Sequence, residues 1–270
     1  MISWMKEIDR ILRGEATRLS NLRLGRIEYG LPQVTLGTIL LAMVSGLCMA
    51  CFALFKRGGP NVMQSVATVV KVPLLFFLTL LVTFPSLYVF NALIGSRLTA
   101  ASVLRLLIAA FAVMMPVLAA LGAIVAFFSV STTSYPFMLL LNVVVFSIAG
   151  VLGLNFLMGT LHRLTIAQTE PLDTFILDEG PEPAPGETTE IPPVLQSAGP
   201  LDRVPGYLPT QNVKIVFRIW VVVFGLVGAQ MAWVLRPFLG NPNLPFHWFR
   251  LRESNFFEAV TVAARHLFGG

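Results

Sequence analysis

Five long apolar segments lie between Thr35 and Phe238, and their interiors carry no Asp, no Glu and, by their placement, no buried Lys or Arg. A helix advances about 1.5 Å per residue, so roughly 20 apolar residues cross a hydrocarbon layer about 30 Å thick. The segments run from about 36 to 54, 72 to 94, 103 to 128, 137 to 161 and 216 to 235, and each meets that requirement. None alternates with the period of a barrel strand, and a lone strand cannot satisfy its backbone in lipid. The expected fold is an all-α integral membrane protein: five transmembrane helices with an N-terminal interfacial amphipathic helix and a short C-terminal amphipathic helix.

Composition agrees with a chain solvated mostly by lipid. The 270 residues are 56% hydrophobic and 12% charged, with a mean hydropathy of +0.77, far from the usual soluble domain. The N-terminus is basic, but the residues that precede the first apolar run are too many, and the run too long, for a signal peptide, which predicts an uncleaved first span. Only Gly95 to Ala101 separate the second and third spans, which predicts a tight antiparallel hairpin.

Orientation follows from the basic residues. With the N-terminus in the cytoplasm, Lys6, Arg10, Arg13, Arg18, Arg23, Arg26, Arg97, Arg105, Arg163, Arg203, Lys214 and Arg218 share that side, and Lys56, Arg57, Lys71, Arg236, Arg250, Arg252 and Arg265 lie opposite. Twelve against seven favours a cytoplasmic N-terminus and an outer C-terminus.

The segments outside the spans are small. Residues 1–33 form a cytoplasmic basic segment, with Ile2, Met5, Ile8 and Leu12 at helical spacing, Trp4 and Ile11 widening the apolar face, and Lys6, Asp9, Arg10 and Arg13 opposite. Such a helix either lies on anionic head groups or docks on the protein itself. Residues 34–164 hold four spans. An acidic, proline-rich cytoplasmic linker follows at 165–211, too polar to bury a core, then the fifth span within 212–238. The outer tail, 239–270, places Phe246, His247, Trp248, Phe249 and Arg250 together, then an amphipathic helix from Glu253 to Phe268 with Ser254 as its expected N-cap. Trp4, Arg10, Arg13, His247, Trp248 and Arg250 are the expected interfacial anchors, with a small pocket at His247 and Trp248 as the alternative.

Within the spans, Asn91, Asn142, Asn155 and Gln230 are the polar candidates, either as hydrogen-bonding glue between helices or as the lining of a polar path. Pro85 and Pro116 fall inside spans two and three and predict kinks. Small residues recur at Ser147, Gly150 and Gly153, and at Gly225, Gly228 and Ala229, where helices can approach closely.

Cys48 and Cys51 form a C-x-x-C pair in the first span, three residues apart and so on one helix face. A redox role would require an external acceptor such as a quinone, because the chain has only these two cysteines. Small buried cysteines are the plainer alternative. The histidines His162, His247 and His266 are far apart, and no H-E-x-x-H, phosphate loop or G-x-S-x-G occurs, so neither a catalytic set nor a metal or other cofactor is expected.

The stretches KVPLLFFLTLLVTFPSLYVFNALIGSRL (Lys71 to Leu98) and FGLVGAQMAWVLRPFLGNPNLPF (Phe224 to Phe246) resemble uncharacterised bacterial multi-pass inner-membrane proteins. In number of spans and hydropathy alone the chain is also similar to Yip1-type proteins, from which the long acidic linker departs. Neither resemblance assigns a functional residue. The expected function is a non-enzymatic scaffold, anchor or assembly subunit of a membrane complex, whose partners are the bilayer and other membrane subunits and not nucleic acid. An uncoupled channel or transporter core and a membrane thiol oxidoreductase are the alternatives.

Overall fold

The computed structural model describes residues 3–15, 29–55, 61–93, 100–169, 211–239, 246–249 and 255–268, with residues 90–93, 100, 161–162, 164–169 and 211–218 described by their backbone alone. Seven helices and no strand occur among them: α1 (Ser3–Leu12), α2 (Leu31–Leu54), α3 (Val62–Leu93), α4 (Ala100–Ser131), α5 (Tyr135–Thr169), α6 (Gln211–Val234) and α7 (Phe256–Phe268). Helices α2 to α5 are each long and apolar enough to cross a membrane, while the apolar stretch described in α6, Ile219–Val234, is shorter. The described residues are thus all-helical in their regular structure, with four helices that give the chain multi-pass membrane character.

Local polar residues cap the starts of α3, α5 and α7. Asn61 Oδ1 accepts from Gln64 N at 3.0 Å, Ser134 Oγ from Phe137 N at 3.4 Å, and Asn255 Oδ1 from Glu258 N at 2.9 Å. Each satisfies an N–H that the first helical turn leaves without a partner. Two of these caps correct the sequence reading. Asn255, not Ser254, caps α7, and Ser254 lies outside the described residues. The Asn61 cap starts α3 at Val62, ten residues before the expected Val72, because the stretch 62–71 is apolar enough to continue the helix.

Helix α4 is central. Leu106 through Met115 are all buried, and α4 packs chiefly against α2 and α5, with α1 and α3 making smaller contacts. The hairpin expected from the short link between spans two and three is therefore secondary. Helix α2 is instead the main neighbour of both α3 and α4.

Glycines set the closeness of these crossings. A Cβ on Gly46 would lie 3.0 Å from Val69 Cα, one on Gly122 3.1 Å from Cys48 Sγ, and one on Gly153 3.1 Å from Met114 Cβ. The crossings α2–α3, α2–α4 and α4–α5 thus depend on a missing side chain. Phe76, Phe111, Phe146 and Phe224, one from each of α3 to α6, meet at the centre: Phe76 is 5.7 Å from Phe111 and 5.9 Å from Phe146, and Phe111 is 6.3 Å from Phe224.

Helix α6 runs antiparallel along α3. Trp220 Nε1 donates to Ser86 Oγ at 3.2 Å, a Cβ on Gly228 would lie 3.7 Å from Thr79 Cγ2, and Gln64 reaches the carbonyls of Pro237 and Phe238. The two ends of the bundle are dressed differently. Helix α1 packs on the starts of α2 and α4, with Ile8 and Ile11 buried and Trp4 beside Gly37. Residues 237–239 and 246–249 lie at the opposite end, over the start of α3, and α7 packs on α5 and α6.

Candidate functional site

Gln64, Thr68 and Lys71 follow the i, i+4, i+7 spacing of a single helix face, and all three are buried. Across from them α6 stops. Leu235 N still bonds Met231 O at 3.0 Å, but Pro237 has no N–H with which to continue the helix, so the chain turns and the carbonyls of Pro237 and Phe238 face α3. Gln64 Nε2 donates to both carbonyls at 3.1 Å, and Thr68 Oγ1 lies within reach of Phe238 O and of its own helix at Gln64 O, 2.8 Å away.

Lys71 completes the face. Only 1% of the residue is exposed, although it sits within the candidate span Val62–Val89. Its Nζ donates to Pro237 O at 3.3 Å and to Trp248 O, and it lies 5.1 Å from the Phe249 ring centroid and 5.9 Å from that of Trp248. Carbonyl oxygens and ring faces are the groups that stabilise a cation withdrawn from water. Beside it, the Arg236 guanidinium stacks 3.8 Å from the Trp233 ring centroid.

This site corrects the expectation that no basic residue is buried within a span. Treating Lys71 as the residue before span two put it in water. With α3 beginning at Val62, the same residue lies more than two turns inside the helix, and its length alone does not carry the amine clear of the protein. The available signal was Asn61 as a cap followed by Gln64, Thr68 and Lys71 on one face.

The residues expected to carry function are dispersed. Cys48 and Cys51 are both free and partly exposed; Cys48 Sγ abuts Gly122 of α4, and Cys51 turns its thiol to Leu47 O at 3.5 Å. Asn142 is buried, and its Nδ2 returns to Met138 O at 2.8 Å while Oδ1 has no hydrogen-bond partner among the described residues. Asn155 is exposed on the same helix, about 20 Å further along and turned well away at 100° per residue. Gln230 is exposed on α6, and the Asn91 side chain lies outside the described residues. Among the described side chains of this set, Asn142 is thus buried while Asn155 and Gln230 are exposed.

Of the expected anchors, Trp4 packs at Gly37, Arg10 pairs with Glu7 at 3.2 Å, and Arg13 pairs with Asp9 at 2.8 Å. His247 is exposed, Trp248 covers Lys71, and Arg250 lies outside the described residues, as does the linker at 170–210. At the α1 end, the Tyr29 hydroxyl donates to Arg105 O, and Gly30 N to Glu7 Oε2 at 3.4 Å. Burial pushes the Tyr29 phenol well above the usual tyrosine range, with the Arg105 charge opposing part of that rise. Among the described residues, no three His, Cys, Asp or Glu side chains are grouped to hold a metal.

No family model matches the chain, and neither a curated protein nor a solved structure matches it.

Proposed function

We propose that the chain is a non-enzymatic subunit that scaffolds or anchors a larger membrane assembly, crossing a bacterial inner membrane five times with its N-terminus in the cytoplasm and its C-terminus outside. The fifth crossing is α6. The reading of an odd number of crossings draws support from α1 and the 246–249 segment dressing opposite ends of the bundle.

One contrast among glycines carries the scaffold reading. Gly46, Gly122 and Gly153 are each filled by a neighbouring helix of the same chain, whereas a Cβ on Gly150 or Gly225 would meet nothing within 4 Å. Gly150 is flanked on the outside of α5 by the exposed Ser147, Ile148 and Val151. A glycine inside a helix costs roughly 0.5–1 kcal/mol relative to alanine, a cost that close approach of another backbone offsets. Helices of neighbouring subunits would supply that approach.

Purification in mild detergent followed by mass spectrometry tests the proposal. Stable partners should co-purify, and Gly150→Ile with Gly225→Ile should strip them while leaving the chain folded. A strictly solitary monomer in the unaltered protein counts decisively against it.

A second reading, an uncoupled channel or transporter core, is favoured only by the buried Oδ1 of Asn142. It requires solute flux in proteoliposomes that Asn142→Leu alters.

A further inference from the structure

We propose that residues 246–249 form a strap that closes over Lys71 and opens independently of the helices beneath it. The observation is a mismatch of burial. Lys71 is 1% exposed, yet Trp248 and Phe249, which lie against it, are 44% and 59% exposed, and the neighbouring His247 is exposed too. A piece of core would be buried on both sides. This segment has no helix of its own and meets Lys71 through one carbonyl, that of Trp248, and two ring faces.

The rest of the site does not need the strap. Gln64 and Thr68 already tie α3 to Pro237 and Phe238 at the end of α6, and Lys71 Nζ has Pro237 O at 3.3 Å as an acceptor outside the strap. Lifting 246–249 therefore leaves the α3–α6 contact intact and admits water to one side of the amine, replacing a carbonyl and two ring faces by hydration. The closed strap withdraws a cation from the surface, and the open strap presents it. The inference stands apart from the scaffold reading, since it concerns contacts within one chain.

Acylation of the full-length protein by a small amine-reactive ester, followed by peptide mass spectrometry, tests it, with the exposed Lys6 as internal reference. In the unaltered protein Lys71 should react at least tenfold more slowly than Lys6. In Trp248→Ala/Phe249→Ala its rate should rise at least tenfold with Lys6 unchanged, and Trp248→Phe should keep most of the protection. Lys71 reacting as fast as Lys6 at the outset, or staying protected in the double variant, overturns the proposal. Hydrogen exchange of the unaltered protein gives a test that needs no variant. Amides of 246–249 should exchange at least a hundredfold faster than those around Lys71 in α3, and equal rates would show that the segment opens only with the bundle.

Discussion

Trp248 meets Lys71 twice, accepting a hydrogen bond from Nζ at its backbone carbonyl while its ring centroid lies 5.9 Å from the same nitrogen. One residue distant in sequence thus supplies both a dipole and a π face to a buried amine. The contact belongs to a longer fastening of α6 along α3, with Trp220 and Ser86 at one end, Thr79 beside Gly228 in the middle, and Gln64, Thr68 and Lys71 at the other. Helix α4, by contrast, is held by burial along its length.

Gln64→Leu should destabilise the protein by about 1–3 kcal/mol, because the carbonyls of Pro237 and Phe238 lose their shared donor in a buried place. Thermal unfolding in a fixed detergent measures it. A cost below about 0.5 kcal/mol would mean that Lys71 and Thr68, which also reach Pro237 O and Phe238 O, satisfy both carbonyls without Gln64.

Trp220 is 1% exposed and meets Phe224 at a centroid distance of 5.3 Å as well as Ser86. Trp220→Phe removes the indole donor and should cost about 0.5–1.5 kcal/mol, while Trp220→Ala also opens a cavity and should cost about 3–5 kcal/mol. If Ser86→Ala reproduces none of the Trp220→Phe loss, the hydrogen bond contributes nothing and packing alone holds this end.

Long apolar runs made the helices of the bundle legible in the sequence, since a span must bury its backbone bonds internally and its length is fixed by the bilayer. The start of α3 was not legible from hydropathy alone, because a lysine inside a span reads as a boundary until its acceptors are known. Those acceptors, Pro237 O and Trp248 O, are far away in sequence and come from main-chain groups that carry no residue signal. The same holds for the glycines. Gly150 and Gly153 share one motif, yet only the fold tells which one faces α4 and which faces open space. Trp220 read as one more apolar residue of a span, and only its meeting with Ser86 marks it as a fastening point.

Gly46 and Gly150 should respond oppositely to alanine. A Cβ on Gly46 would lie 3.0 Å from Val69 Cα and 3.2 Å from Thr68 O, backbone that cannot step aside, so Gly46→Ala should push α2 off α3 at a cost of about 1–3 kcal/mol. A Cβ on Gly150 meets nothing, and Gly150→Ala should be neutral or stabilising by up to about 1 kcal/mol through helix propensity. Equal unfolding midpoints for the two variants would contradict the assigned crossings.

Tyr29 gives the bundle's α1 end a pH dependence whose sign is fixed by its environment. Burial, opposed in part by Arg105, holds the folded-state phenol above the ordinary tyrosine value of about 10. At pH values below that ordinary value both folded and unfolded chains keep the proton, and the stabilisation from the buried neutral phenol is complete. Above it the unfolded chain ionises first, so stability falls as pH rises towards the folded-state pKa. Tyr29→Phe should lose about 0.5–1.5 kcal/mol at neutral pH with the hydrogen bond to Arg105 O, and should show a shallower decline across the alkaline range. Unfolding midpoints of both proteins through that range provide the measurement, and parallel declines would assign the alkaline loss to groups other than Tyr29.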